Sequence, residues 1–322
     1  MQLAKQLNKN LLDLAWSLWT ELGVAGIKQS HKNVLIFIEE LVVFTSIIAE
    51  IDPRLRDESM DWCSQYHHFI SISRLKSLIK DFDESDKKSF SKYASSLNRI
   101  SKANWPVFSD ISPLKINLSH KSTLRPHASP ALLSIRARSI FGTGARADLV
   151  AFFLVRPDTN FSIAEIEMGY TKRNLAEVLN DLSLGKLFDK FMQGNQQRYR
   201  LNKNSPLFQM LSPIPEHAPR WNILFKVLLA LRDCIYRTEN SAESTKIVEI
   251  RSCLKDHRES LQKLGISPPA FSNNFAEYLE NFSQWILEWT DRLAKGWENT
   301  ERRRYAREGT RTPTRNPTTT SK

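Results

Sequence analysis

Thr171, Lys172, Arg173 and Asn174 stand together at the front of the segment TKRNLAEVLNDL, residues 171–182. A planar guanidinium such as that of Arg173 donates two hydrogen bonds at once, the pattern that a guanine edge accepts, and the amides of Asn174 and Asn180 can serve an adenine edge in the same way. Lys172, a compact charge nearer the flank, suits a phosphate. Glu177 opposes this chemistry, because a phosphate repels it unless it accepts from a cytosine amino group or a neighbouring cation neutralises it. A second set follows in residues 194–201, where Arg198 and Arg200 share one strand face and Asn195, Gln196 and Gln197 add neutral polar groups.

Other chemistries find less support. The chain has no P-loop, no H-E-x-x-H and no G-x-S-x-G, and GTGARA from Gly142 lacks both the third glycine and the preceding strand of a dinucleotide site. His67 and His68 follow Trp62 and Cys63, but helical neighbours point about 100° apart and no third ligand stands at a metal-site spacing. Cys63, Cys234 and Cys253 are odd in number, far apart and without a C-x-x-C spacing, so neither zinc nor a disulfide framework is indicated, and a reducing cytoplasm is expected. Glu165 and Glu167 fit capping and solvation of a first helical turn better than paired catalysis. The expectation is a protein that is not an enzyme and needs no cofactor or metal.

The residues of the opening segment need elements to hold them. Thr171 is an N-cap, Leu175, Val178, Leu179 and Leu182 recur at helical spacing on one inward face, and Gly185 ends the helix. At 100° per residue that inward direction leaves Arg173, Glu177 and Asn180 pointing most directly outward, with Asn174 and Asp181 beside them. Before it, residues 144–157 (GARADLVAFFLVRP) read as a helix stopped by Pro157, and Ser162 with Glu165 forms a capping box opening a short second helix at Ile163. After it, LFDKFM and QRYRL read as two strands joined at Gly194-Asn195, with Tyr199 and Leu201 toward the core. The order is helix, helix, turn, helix, hairpin.

Over roughly residues 142–203 this order resembles the winged helix-turn-helix domain of bacterial transcription regulators, most closely in TKRNLAEVLNDL, GKLF and GNQQRYRL. The resemblance implies that the third helix enters the major groove and that the hairpin, as a wing, lies along the backbone or in the minor groove. The implied partner is double-stranded DNA, met by Thr171, Lys172, Arg173, Asn174, Glu177 and Asn180 on the helix and by Asn195, Gln196, Gln197, Arg198 and Arg200 on the wing. Gly185 follows Leu182 one residue sooner than in the commonest form of the family.

The flanks read as helical, so the fold class expected is mainly α: a helical N-terminal domain (1–103), a linker (104–130), a winged-helix domain (131–212), a C-terminal helical bundle (213–300) and a disordered basic tail (301–322). Leu7, Leu11, Leu14 and Leu18 make one stripe, a second helix is expected from Lys32 to Glu50, a third from Leu55 to Tyr66, and a fourth from a Ser73 cap. Near its C-terminus, Phe275, Leu279, Phe282, Ile286 and Trp289 share a face that serves either as core or as a surface for homodimerisation. Residues 34–49 are too short an apolar run to span a bilayer, interrupted as they are by Glu39 and Glu40. Of the formal charge of +11, residues 121–215 hold +6 and residues 301–322 hold +5, while the two remaining stretches nearly cancel. A polyanion is therefore expected at the middle or the tail. The alternative expectation is a protein-binding module, antitoxin-like or a scaffolding partner of a neighbouring enzyme, whose winged helix does not read DNA.

Overall fold

In the computed structural model, which describes residues 2–26, 29–80 and 82–297, helix α1 (Gln2–Glu21) buries Leu7, Leu11, Leu14 and Leu18 completely. Their cover comes from the far end of the chain. Helix α13 (Phe275–Lys295) lies alongside α1 and buries Phe282, Ile286 and Trp289 in the same core. His31 joins the two, with its ring nitrogens 2.8 Å from Ser17 Oγ and 2.9 Å from the Leu293 carbonyl oxygen. Burial holds this imidazole neutral, its pKa lowered to about 4.

Around this pair pack α2 (Ile38–Ile48), α3 (Pro53–Tyr66), α4 (Ile72–Ile79) and α5 (Glu84–Ile100), then α10 (Trp221–Thr238), α11 (Glu243–Asp256) and α12 (Arg258–Leu264). The expected N-terminal domain and C-terminal bundle are therefore one body. Each end presents an apolar stripe that the other covers, and each fully buried leucine or isoleucine contributes about 1.5–3 kcal/mol of transfer free energy. Residues 104–125 form neither helix nor strand and lie against this body rather than spanning open solvent: Trp105 is buried, and Ser91 and Ser96 accept from the backbone N–H groups of Phe108 and Leu114.

Two boundaries differ from expectation. Helix α2 starts at Ile38, not at Lys32, because residues 32–33 form a turn and residues 34–37 are extended: Leu35 N–H donates to the His217 carbonyl at 2.7 Å and Trp221 Nε1 donates to the Leu35 carbonyl at 2.7 Å. Helix α4 is capped by Ser71, whose hydroxyl accepts from Arg74 N–H, and not by Ser73.

A second core draws on residues 133–211 together with Leu35 and Phe37. It is built from α6 (Leu133–Phe141), a helix the sequence reading does not place, then α7 (Ala145–Leu154), a single 3-10 turn at 163–165, α8 (Lys172–Leu184), strands β1 (Phe188–Gln193) and β2 (Gln196–Leu201), and the short α9 (Leu207–Met210). The strands pair antiparallel, with Phe188 opposite Leu201 and Gln193 opposite Gln196, and Phe161 adds a bridge to Tyr199 on the free edge of β2. Gly194 turns the hairpin at φ +58°, a conformation that costs glycine nothing. Among the described residues the chain is thus mainly α-helical with one β-hairpin, and no helix there is long and apolar enough to cross a membrane. The expected basic tail, 301–322, lies outside the described residues.

Candidate nucleic-acid interface

Helix α8 begins as its sequence dictates. The Thr171 hydroxyl accepts from Asn174 N–H at 3.2 Å, Leu175, Leu179 and Leu182 are buried, Val178 is half-buried against the same core, and Gly185 closes the last turn. The preceding turn is fixed by the Ser162 and Glu165 capping box, in which the Glu165 carboxylate accepts from Ser162 N–H at 2.7 Å. That bond comes first among the causes that lower the Glu165 pKa; the Ser162 hydroxyl and Arg198 add to it.

Thr171, Lys172, Arg173 and Asn174 are all exposed, and Arg173 has 89% of its side chain in solvent. Arg173 Nε donates to Glu177 Oε1 at 2.9 Å, so the carboxylate that opposes phosphate is neutralised by a cation one turn away. At the hairpin tip, Gln193, Gly194, Asn195 and Gln196 are exposed and Gln197 is half-buried. The principal neighbours of α8 are α7, the 163–165 turn and β1, all within its own unit.

Three expected site residues stand differently from the simple helical and strand projections. Asn180 does not point outward: it is half-buried, and its Oδ1 accepts from Lys190 Nζ at 2.7 Å and from the Tyr199 hydroxyl at 3.2 Å, because the hairpin folds over that end of α8. Arg198 is folded back, with 17% of its side chain exposed, donating to the side chain and backbone oxygens of Asn160 and to Glu165 at 2.8 Å. Arg200 pairs with Asp189 at 2.9 Å and sits over the Phe191 ring. Other cations of the unit were not read from the sequence: Arg146 pairs with Asp181, Lys190 is exposed on β1, and Lys186, like Lys172, forms no ion pair among the described residues.

Beneath the start of α8 lies a cluster the sequence reading also misses. Arg138 of α6 donates to Glu39 and Asp148 at 2.8–2.9 Å and to the Phe69 carbonyl, while Arg74 of α4 reaches Asp148 at 2.7 Å and Glu40 at 2.5 Å. The Tyr170 hydroxyl, one residue before the Thr171 cap, donates to Asp148 at 2.7 Å, and Gly169, at φ +73°, passes close to the stem of Arg74. Glu39 and Asp148 are wholly buried, and Arg74, Arg138 and Glu40 nearly so. Burial opposes ionisation of Asp148, but Arg138 and Arg74 outweigh it and hold the carboxyl below its usual range. Glu40 goes the other way: burial pushes it up to about 7 against the pull of Arg74, and its second oxygen has no hydrogen-bond partner. Two guanidiniums then face two carboxylates and one carboxyl that holds a proton with little penalty. The cluster locks α2 and α4 of the larger body to α6, α7 and the turn that launches α8.

No protein-family model, no curated protein and no solved structure matches this chain.

Proposed function

We propose that this chain is a DNA-binding transcriptional regulator in which the central unit works as a winged helix. In this reading α8 enters the major groove by its N-terminal turn, and the hairpin rests on the neighbouring backbone or minor groove. One observation carries the reading: the cationic first turn of α8 and the polar hairpin tip are both exposed, while Leu175, Leu179 and Leu182 on the opposite face of α8 are buried in the core of the same unit. Arg173 is the base reader, Lys172 and Lys186 meet phosphate, and Gln196 and Gln197 contribute neutral contacts. Since Phe282, Ile286 and Trp289 of α13 are buried in the larger core while Phe275 is exposed, a homodimer on a palindromic site has to use surfaces of the C-terminal helices outside that buried stretch.

The test is a titration of the full chain against duplex DNA at several salt concentrations, where log affinity falls against log salt with a slope of about 0.9 per phosphate neutralised. Arg173→Ala is expected to relax sequence preference by about 1–3 kcal/mol of discrimination between cognate and altered sites. Affinity that does not change with salt, or no binding at low salt, counts against the proposal.

A second reading, a protein-binding module, is favoured by a different observation. Arg146, Arg173, Arg198, Arg200 and Lys203 are each already paired with a carboxylate of the same unit, which weakens the field offered to a polyanion. A partner protein retained by a variant with Arg173, Arg198 and Arg200 all changed to Ala, alongside unaltered DNA affinity, supports this reading over the first.

A further inference from the structure

Helices α10 and α11 follow one another across the short connection 239–242 and pack side by side, with a cleft of about 640 Å³ open along their shared edge. From α10, Asp233 and Arg237 face this cleft; from α11, Glu249, Cys253 and Asp256 do. Cys234, next to Asp233, is buried in the large core at 1% exposure. Cys253 packs against the same core but stays partly exposed on the cleft wall. A side-chain hydrogen bond joins the two thiols across the helix pair. The packing of α10 on α11, and no C-x-x-C spacing, brings them together.

Two thiols in contact stand close to a disulfide, whose formation requires the sulfurs to close to about 2.05 Å and the Cβ atoms to lie on the order of 4 Å apart. The reacting form is the thiolate. One proton lost from a hydrogen-bonded pair leaves a thiolate held by the remaining S–H, and the shared proton can lie on either sulfur. Arg237 favours the negative charge at both sulfurs, while Glu249 opposes it at Cys234 and Asp256 opposes it at Cys253. Cys63, the third cysteine, is wholly buried on α3 and does not line the cleft.

We propose that Cys234 and Cys253 are a redox-sensitive pair, which a peroxide converts reversibly into a disulfide within the chain. Cys253 reacts first, because it is the thiol open to the cleft. Its sulfur attacks one peroxide oxygen, the O–O bond breaks, and one water leaves while Cys253 becomes a sulfenic acid. The Cys234 sulfur then attacks the Cys253 sulfur, the S–O bond breaks, and a second water leaves. Each thiol gives up one proton and one electron, and the peroxide takes up both of each in forming two waters. A small thiol reverses the bridge by exchange and is itself oxidised to a disulfide. In reducing surroundings the pair rests as two thiols, so the bridge reports an oxidant. Once formed, it ties the last turns of α10 to α11.

The experiment treats the folded full chain with hydrogen peroxide in modest excess, removes the peroxide, and counts thiols by alkylation in denaturant with mass spectrometry. Two of the three thiols are expected to disappear, with the unalkylated mass lower by two hydrogens and a proteolytic fragment linking Cys234 to Cys253. Dithiothreitol is expected to restore all three. Cys234→Ser should stop at the Cys253 sulfenic acid, trapped by dimedone, and Cys253→Ser should keep Cys234 reduced at the same dose. Wild-type protein that retains all three thiols, that oxidises without bridging, or that bridges through Cys63 or between two chains overturns the assignment. The wild-type result stands without either variant folding, and none of it depends on DNA binding.

Discussion

Arg138 and Arg173 make ion pairs of almost the same length, 2.8 Å to Glu39 and 2.9 Å to Glu177. Their surroundings differ completely. Arg138 is sealed at the junction of the two cores, whereas Arg173 lies in solvent. Water screens the second pair and leaves it worth little, while the first has no water to replace a lost partner. Distance alone therefore says nothing about which pair holds the fold together. Removing one partner from a buried network costs about 3–5 kcal/mol, because the remaining charge is stranded. Arg138→Met is expected to destabilise the chain by that amount in urea unfolding, with Arg74 left as the one cation that reaches both Glu39 and Asp148 among the described residues. Arg173→Met is expected to stay within about 0.5 kcal/mol of wild type in the same measurement. Equal effects of the two would erase the distinction.

The cluster can be sharpened further through Glu40. Its folded-state carboxyl is raised to about 7, by burial first, so between the usual carboxylate range and about 7 the folded chain holds a proton that the unfolded chain has released. This stabilising contribution is fully present below the unfolded pKa and is lost as pH rises through about 7. The groups facing Glu40 are Arg74 and Glu39, with Asp148, Arg138 and Tyr170 behind them. Glu40→Gln keeps the neutral form at every pH. Its stability measured against wild type should therefore improve from about pH 5 to about pH 7 and level off above that. Asp86 and His31 also titrate with folding, the first with the same sign and the second with the opposite one, but both are common to the two proteins and cancel in the difference. A constant difference across that range would mean that Glu40 is ionised throughout.

The same contrast explains what the amino-acid sequence could reveal. Helix α8 is legible because its cap, its apolar spacing and its closing glycine are all local. The hairpin is legible for the same reason, through Gly194-Asn195 and the alternation of Arg198, Tyr199, Arg200 and Leu201. Residues 34–37 mislead, since an apolar run buried on both sides carries no period that separates strand from helix. Asn180 misleads too: a helical projection gives its direction from α8 alone and cannot foresee that Lys190 and Tyr199 fold over it. The buried cluster is the least legible part of all. Glu39 and Arg138 are 99 residues apart, and each reads locally as an ordinary charge on a helix. The merging of the two ends into one core follows the same logic, because a stripe on α1 does not announce that α13 will cover it.

The smallest expected effect is on the exposed side, at Glu177. In the free chain Glu177 holds the Arg173 guanidinium by an i, i+4 pair, an arrangement worth roughly 0.3–0.5 kcal/mol on a solvated helix. Glu177→Gln removes that restraint and one negative charge from the face proposed to meet phosphate, so stability should barely move while duplex affinity rises. Freeing the guanidinium and reducing repulsion together amount to about 0.5–1 kcal/mol, a gain of roughly two- to fivefold at low salt that shrinks as salt screens it. A cytosine amino group recognised by Glu177 predicts the opposite sign at the cognate site alone, where the lost acceptor costs about 1–3 kcal/mol while other sequences still gain. Competition binding with cognate and scrambled duplexes separates the two roles. A uniform gain makes Glu177 a restraint on Arg173, and a loss confined to one sequence makes it a base reader.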